Sequence, residues 1–416
     1  MALSAHQSSQ YLFNACEQGD IELILNHIKS LSSSEICSIR DENQATLVHY
    51  ACRYGYLNLL KYLFESKQID PSQLRTEHGA TCAHDAAVCD QIDILKYIFY
   101  QCKQLQWNIR DELGNTPLHL AASYNSHNVL HYLLNHQYAD PHNPSYNGFL
   151  AIHYASEHGH NECIKLLLTK SPDTVNQQTN QLLTPIYLAC QNGFLATVQL
   201  LISYGANFQL KDQDGSNCLH IACGNGHIDI VQWLVEKQNA SVNENDYHNC
   251  TPLHYAAMNG NEHLISYLLD KQAKITCDSH GNTPLHKAAE NGHQSACAIL
   301  VEGTCSSVNS MNNRQLTAAD LAANSDHLSL ANELHLRGNS SLLQKATIVR
   351  LVIKKRNVQR ADVSCQVNED DFIDQKSHYL SSRKGEISTT TINSGDILHT
   401  PRSSVVAIAK LHSDME

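Results

Sequence analysis

The chain has 416 residues, 42% hydrophobic and 17% charged, with 29 Lys and Arg against 41 Asp and Glu and a net charge of -12. That balance excludes a fibrous or wholly disordered polypeptide, and it argues against a nucleic-acid binder, which needs a basic footprint. At about 100–200 residues per domain, length alone allows two or three globular units.

The first residues, MALSAHQSSQ, lack the basic-then-apolar run of a secretory signal. No stretch approaches the roughly 18 consecutive apolar residues of a membrane helix, so no membrane insertion is expected. The 15 cysteines run from Cys16 to Cys365 as singles with no CxxC pair. Free thiols in a reducing compartment, and hence a cytoplasmic location, are the expectation.

Along the chain one hexapeptide keeps returning. It opens as TLVHYA at Thr46, TCAHDA at Thr81, TPLHLA at Thr116 and LAIHYA at Leu150. It continues as TPIYLA at Thr184, NCLHIA at Asn217, TPLHYA at Thr251, TPLHKA at Thr283 and TAADLA at Thr317. The head residues are His49, His84, His119, His153, Tyr187, His220, His254, His286 and Asp320, spaced by 35, 35, 34, 34, 33, 34, 32 and 34. Six residues after most heads stands a glycine (Gly55, Gly159, Gly193, Gly226, Gly260, Gly292), where a tight turn joins two short helices. Asp90 and Asn125 replace it in two units. Apolar residues at helical spacing follow, as in Leu59, Leu60 and Leu63, or Ile230, Val231 and Leu234. Ala15 and Gly19 mark a degenerate opening unit.

A period near 33 with a T-P-L-H-x-A head resembles the ankyrin repeat. The resemblance implies an α-solenoid: about ten helix-turn-helix units with short β-hairpin fingers over residues 9–338. A helix is expected over 339–358, and the polar remainder, 359–416, reads as a disordered tail. The resemblance also implies that the head histidines bond backbone of the neighbouring unit. The histidines after the turn glycine (His160, His227, His293) would help close the turn.

These roles account for the abundance of His and Cys without a metal or cofactor. The ligands are spread one per unit along the array, and neither HExxH nor paired Cys knuckles occur. Even His158, His160 and Cys163 read as an inter-helix turn. Cys52, Cys190 and Cys223, three residues after their heads, take the place of the small Ala87, Ala122, Ala257 and Ala289. No phosphate loop or nucleophile elbow is present, so no enzyme is expected.

The departures from consensus carry a closer resemblance. GATCAHDAAV (79–88), GFLAIHYASEHG (148–159), TPIYLACQNG (184–193), GNTPLHKAAENGH (281–293) and LTAADLA (316–322) are similar, in this order, to the ankyrin domain of espin and Forked actin-bundle proteins. That resemblance implies docking of a class III myosin tail helix, or another actin-associated protein, on actin bundles. It covers residues 9–338. Bundling modules of espins lie in proline-rich C-terminal segments, whereas Pro401 is the only proline here after residue 338.

Partner-binding residues in such arrays occupy the finger tips and the last two residues before the turn. Those positions nominate Arg53, Tyr54, Val88, Tyr124 and Met258 on the inner helices, with Tyr54, Val88 and Tyr124 as a stripe beside Arg53. Tips add Tyr146 and Tyr247, with the acidic Asp41, Glu42, Glu77, Asp111, Glu112, Asp212 and Asp214. Residues 1–338 hold 18 basic and 32 acidic residues, a balance of -14, against +2 for the rest. A monomer that receives a basic amphipathic helix of a protein partner is the leading expectation. The alternatives are direct actin cross-linking through residues 339–358, and a general adaptor with no cytoskeletal role.

Overall fold

The computed structural model describes residues 5–101, 107–136, 139–303 and 308–338. The helix expected over 339–358 and the tail expected over 359–416 lie outside the described residues. Residues 1–338 form one compact unit. It is an all-α solenoid of ten stacked helix pairs, from Ala5–Gln18 with Ile21–Ile28 to Ala318–Asn324 with residues 328–338.

The repeated hexapeptide is a helix start. Thr116 sits in extended geometry as N-cap, Pro117 takes the first helical position where no N–H is needed, and His119 is the third residue. The Thr116 N–H donates to His119 Nδ1 at 3.0 Å, and the Thr116 hydroxyl lies 2.9 Å from the same nitrogen. His thus fills the place that Glu holds in a capping box. Thr46, Thr81, Thr251 and Thr283 repeat the arrangement. Leu150 has no hydroxyl, so only its N–H reaches His153 Nδ1, at 3.0 Å.

The other ring nitrogen crosses to the next unit. Nε2 donates from His84 to Asn115 O (3.0 Å), from His119 to Phe149 O (3.1 Å), from His153 to Gln177 O (2.9 Å) and from His220 to Glu244 O (3.0 Å). His254 and His286 do the same to Asn282 O and Leu316 O. A backbone N–H on one side and a carbonyl on the other leave a single neutral tautomer. Burial drives these imidazoles away from protonation, to about 4 in His119 and His153. His49 Nε2 turns to the equivalent Ala80 carbonyl, in looser geometry than the other heads.

The turn residue is left-handed throughout, including Asp90 and Asn125, which tolerate positive φ as Gly does. Gly193 shows what else the position demands, because a Cβ there would lie 2.6 Å from the His227 ring. The histidines after the turn glycine are expected to help close the turn, and the turn they reach is a neighbour's. In the preceding unit, Ser123 O, Gln191 O and Met258 O just before the turn accept from Nε2 of His160, His227 and His293 at 2.9, 3.0 and 2.9 Å.

Between helices, Leu59, Leu60, Leu63, Ile230, Val231 and Leu234 are fully buried, each stabilising by about 2–3 kcal/mol. The fingers are tight turns, and no strand forms among the described residues beyond the isolated bridges Arg40–Thr46 and Met311–Thr317. Single backbone bonds join successive tips, as in Glu77 N–H to Asn43 O (2.8 Å), Glu112 N–H to His78 O (3.0 Å) and Tyr146 N–H to Leu113 O (3.1 Å). No helix among the described residues is long and apolar enough to cross a membrane.

Candidate protein-docking face

Two registers of the repeat reach the surface where neighbouring units align: the residue just before the left-handed turn, and the second residue of each finger. At the first, units two to four carry Tyr54, Cys89 and Tyr124, and unit five His158. In units six to nine the residue is Asn192, Asn225, Asn259 and Asn291, and in unit ten Ser325. The amides of Asn192, Asn225 and Asn291 fold back on carbonyls of their own helices, Leu188 O, Ile221 O and Lys287 O, at 3.0, 3.0 and 2.9 Å. His158 does likewise to Tyr154 O. The tyrosines make no such return, and their half-buried rings form an apolar row. Tyr54 stacks on Tyr56 with ring centres 5.8 Å apart. Burial pushes the Tyr124 hydroxyl up to about 12 and the Cys89 thiol up to about 11.

The register thus places Cys89, not Val88, between the two tyrosines; Val88 is half-buried one residue earlier, in the same register as Arg53. Arg53 itself is committed. Its Nε donates to Asp85 Oδ1 of the next unit at 3.0 Å, and its guanidinium lies 5.2 Å from the Tyr50 ring centre. Burial opposes its charge, but the Asp85 carboxylate outweighs burial and holds Arg53 above its ordinary range. Met258 is 46% exposed but belongs to unit eight, away from the tyrosine row.

At the finger register the first three tips present Glu42, Glu77 and Glu112, all exposed. They precede Tyr146, 62% exposed, with Tyr247 three tips further on at 68%. Both rings lie over a glycine of the preceding finger: a Cβ on Gly114 or Gly215 would meet them at 2.7 or 2.6 Å. Each also has a cation beside it, Arg110 at 5.7 Å and Lys211 at 5.8 Å. The other acidic tip residues are largely internal. Asp41, Asp111 and Asp212 use Oδ1 to accept the N–H groups two and four residues on. Asp212 is only 8% exposed. A legible signal for this role is Asp three residues before the finger glycine, as in Asp111 before Gly114 and Asp212 before Gly215.

Units two to four therefore combine an apolar tyrosine–cysteine row on the inner helices with a glutamate row on the tips. The head residues His49, His84, His119, His153, Tyr187, His220, His254 and His286 are all buried and face neighbouring units, so they serve the array and not a ligand. No His/Cys/Asp/Glu group with metal-site geometry occurs among the described residues.

A family model described as ankyrin repeats (3 copies) matches residues 12–111, 100–179, 170–246, 186–279 and 243–312. Among curated proteins, the chain is 29% identical over 111 residues to target of rapamycin complex 2 subunit AVO2 of Saccharomyces cerevisiae, covering 26% of each. It is 35% identical over 109 residues to the B-cell lymphoma 3 protein homolog of Mus musculus, 26% of this chain and 24% of the relative. Glycerophosphocholine phosphodiesterase GDE1 of Candida albicans is 31% identical over 98 residues, 24% of this chain and 8% of that protein. The chain thus spans about a quarter or less of the curated relatives it matches.

Proposed function

Because the chain belongs to the ankyrin-repeat family, whose arrays are protein-interaction modules, we propose that it is a non-enzymatic cytoplasmic scaffold that docks a basic amphipathic helix on units two to four. The observation that carries this reading is the coincidence of two rows in the same three units: Tyr54, Cys89 and Tyr124 beside Glu42, Glu77 and Glu112. Apolar side chains of the partner lie along the first row, and its Lys or Arg residues face the second. The array's balance of -14 steers such a partner toward it.

The partner we favour is a class III myosin tail segment, carried to actin bundles in an espin-like way. Support for that choice is the run of shared departures from consensus, among them GATCAHDAAV and TPIYLACQNG. A pull-down with a class III myosin tail tests it. Binding that is lost with Tyr54→Ala plus Tyr124→Ala supports the reading. No binding, or binding indifferent to both changes, removes the myosin assignment.

A further inference from the structure

The sixth residue of one inner helix faces the first residue of the next, and at two interfaces both are cysteine. Cys52 is sixth in Leu47–Arg53 and Cys82 opens Cys82–Val88; Cys190 is sixth in Pro185–Asn192 and Cys218 opens Cys218–Gly224. All four side chains are completely buried. The helices of each pair pack directly on one another, and each of Cys52 and Cys190 feels the thiol of the cysteine across the interface. Elsewhere the opening residue is usually Pro (Pro117, Pro185, Pro252, Pro284), which suits a first helical position better than Cys. At both interfaces where cysteine opens an inner helix, the helix before it supplies a second thiol. Cys223 is the control within the array: it is also sixth in its helix, but faces Pro252.

We propose that Cys52–Cys82 and Cys190–Cys218 are two equivalent oxidation sites that form inter-repeat disulfides with a small-molecule disulfide such as oxidised glutathione. When an interface opens, one cysteine thiolate attacks the oxidant's S–S bond, forming a mixed disulfide and releasing one small thiolate. The second cysteine, as thiolate, attacks the protein sulfur of that mixed disulfide. The intramolecular S–S bond forms and a second small thiolate leaves. Two electrons pass from the pair to the oxidant, and the two cysteine protons end on the two released thiols. Burial raises the Cys52 and Cys190 thiols, so the closed array resists reaction and inter-repeat opening controls the rate. Once closed, each bond ties neighbouring units together and opposes their separation.

The test oxidises the full-length folded chain with oxidised glutathione just below its melting midpoint, alkylates free thiols, and maps peptides without reduction. The expected products are a Cys52–Cys82 and a Cys190–Cys218 cross-link, both abolished by reductant, with Cys223 still alkylated on denaturation. Amide exchange in Leu47–Arg53, Cys82–Val88 and Cys218–Gly224 slows by about tenfold or more on oxidation. Cys82→Pro with Cys218→Pro installs the residue that opens four other inner helices, giving up only the long 3.4 Å bond from Cys218 N–H to Phe208 O. It loses both links and the slowed exchange. The proposal is overturned if the native chain forms neither link, if exposed Cys277 or half-buried Cys89 cross-links in preference, or if the double-proline variant shows the same slowing.

Discussion

The hydroxyl of Tyr187 donates to Oδ2 of Asp212 in the following unit at 2.6 Å. Head imidazoles elsewhere reach a backbone carbonyl; here a longer side chain reaches a carboxylate whose Oδ1 already caps the finger. Burial, then the Asp212 bond and charge, raise Tyr187 far beyond its ordinary range. Tyr187→Phe leaves Oδ2 buried without its donor and should cost about 1–3 kcal/mol in denaturant unfolding. Asp212→Asn keeps the finger cap with its amide oxygen and turns its NH2 to donate to the Tyr187 hydroxyl oxygen, and should cost less. Equal midpoints for wild type and Tyr187→Phe would show that solvent replaces the hydroxyl freely.

Acid should weaken the array before it protonates most carboxylates. His119 and His153 titrate at about 4 when folded, below the ordinary 6.5, and burial also lowers His84, His220, His254 and His286. The unfolded chain therefore binds more protons between about pH 6.5 and 4, and stability falls as pH drops through that window. His119 and His153 are each worth about 3 kcal/mol by the size of their shifts. Thermal midpoints should be level at pH 7–8 and decline steadily below about 6.5; a flat profile down to pH 4.5 would contradict this account.

Arg53 and Asp85 form a buried ion pair whose two halves are not separable. Arg53→Met or Asp85→Leu alone strands a charge and should destabilise by about 3–5 kcal/mol. The double substitution should come within about 1 kcal/mol of wild type, because Leu120, Leu188 and Ile221 hold the equivalent of Asp85 elsewhere. A double-mutant cycle by urea unfolding measures the coupling.

Charge reversal on the first three tips separates steering from packing. Glu42→Lys, Glu77→Lys and Glu112→Lys together should slow association with a basic helix and flatten its salt dependence, with thermal stability nearly unchanged. Tyr54→Ala or Tyr124→Ala should mainly speed dissociation, each costing about 1–2 kcal/mol of binding. Asn192→Ala lies outside the docking units and should leave both rates unaltered. Stopped-flow or surface-binding kinetics distinguishes these outcomes.

Gly193→Ala forces a side chain into a left-handed turn with φ of 83° and against the His227 ring. We expect a loss of more than about 1 kcal/mol. Asn125→Gly, at the same register without the glycine, should change stability by only a few tenths. Matched denaturation curves of the two variants decide whether the ring or the backbone sets the requirement.

The period, the helix pairing and the buried heads were legible because each is stated many times over in the sequence. Leu59 or Ile230 can be placed in the core by spacing alone. The docking face was only partly legible. Tyr54 and Tyr124 stand in one register, but Val88 lies one residue off it, and Cys89 holds the place between them. Arg53 reads as a free cation until Asp85 in the next unit is seen beside it. Asp41, Asp111 and Asp212 look like surface acids, yet their short carboxylates fold into turns, while the longer Glu42, Glu77 and Glu112 reach solvent. Such distinctions rest on which neighbour a side chain meets across an interface, and the sequence of one unit does not contain its neighbour.

The two sets of histidines sew the array in opposite directions. Head imidazoles such as His84 and His254 donate forward to the following unit, whereas His160, His227 and His293 donate back to the preceding one. A cut between units four and five, or eight and nine, therefore strands a donor and an acceptor on each side. Fragments truncated there inherit a frayed end that whole units in mid-array never expose, and unfolding that starts at one terminus must break paired stitches when it reaches those interfaces. That gives the chain a ratchet-like resistance to being unzipped one unit at a time.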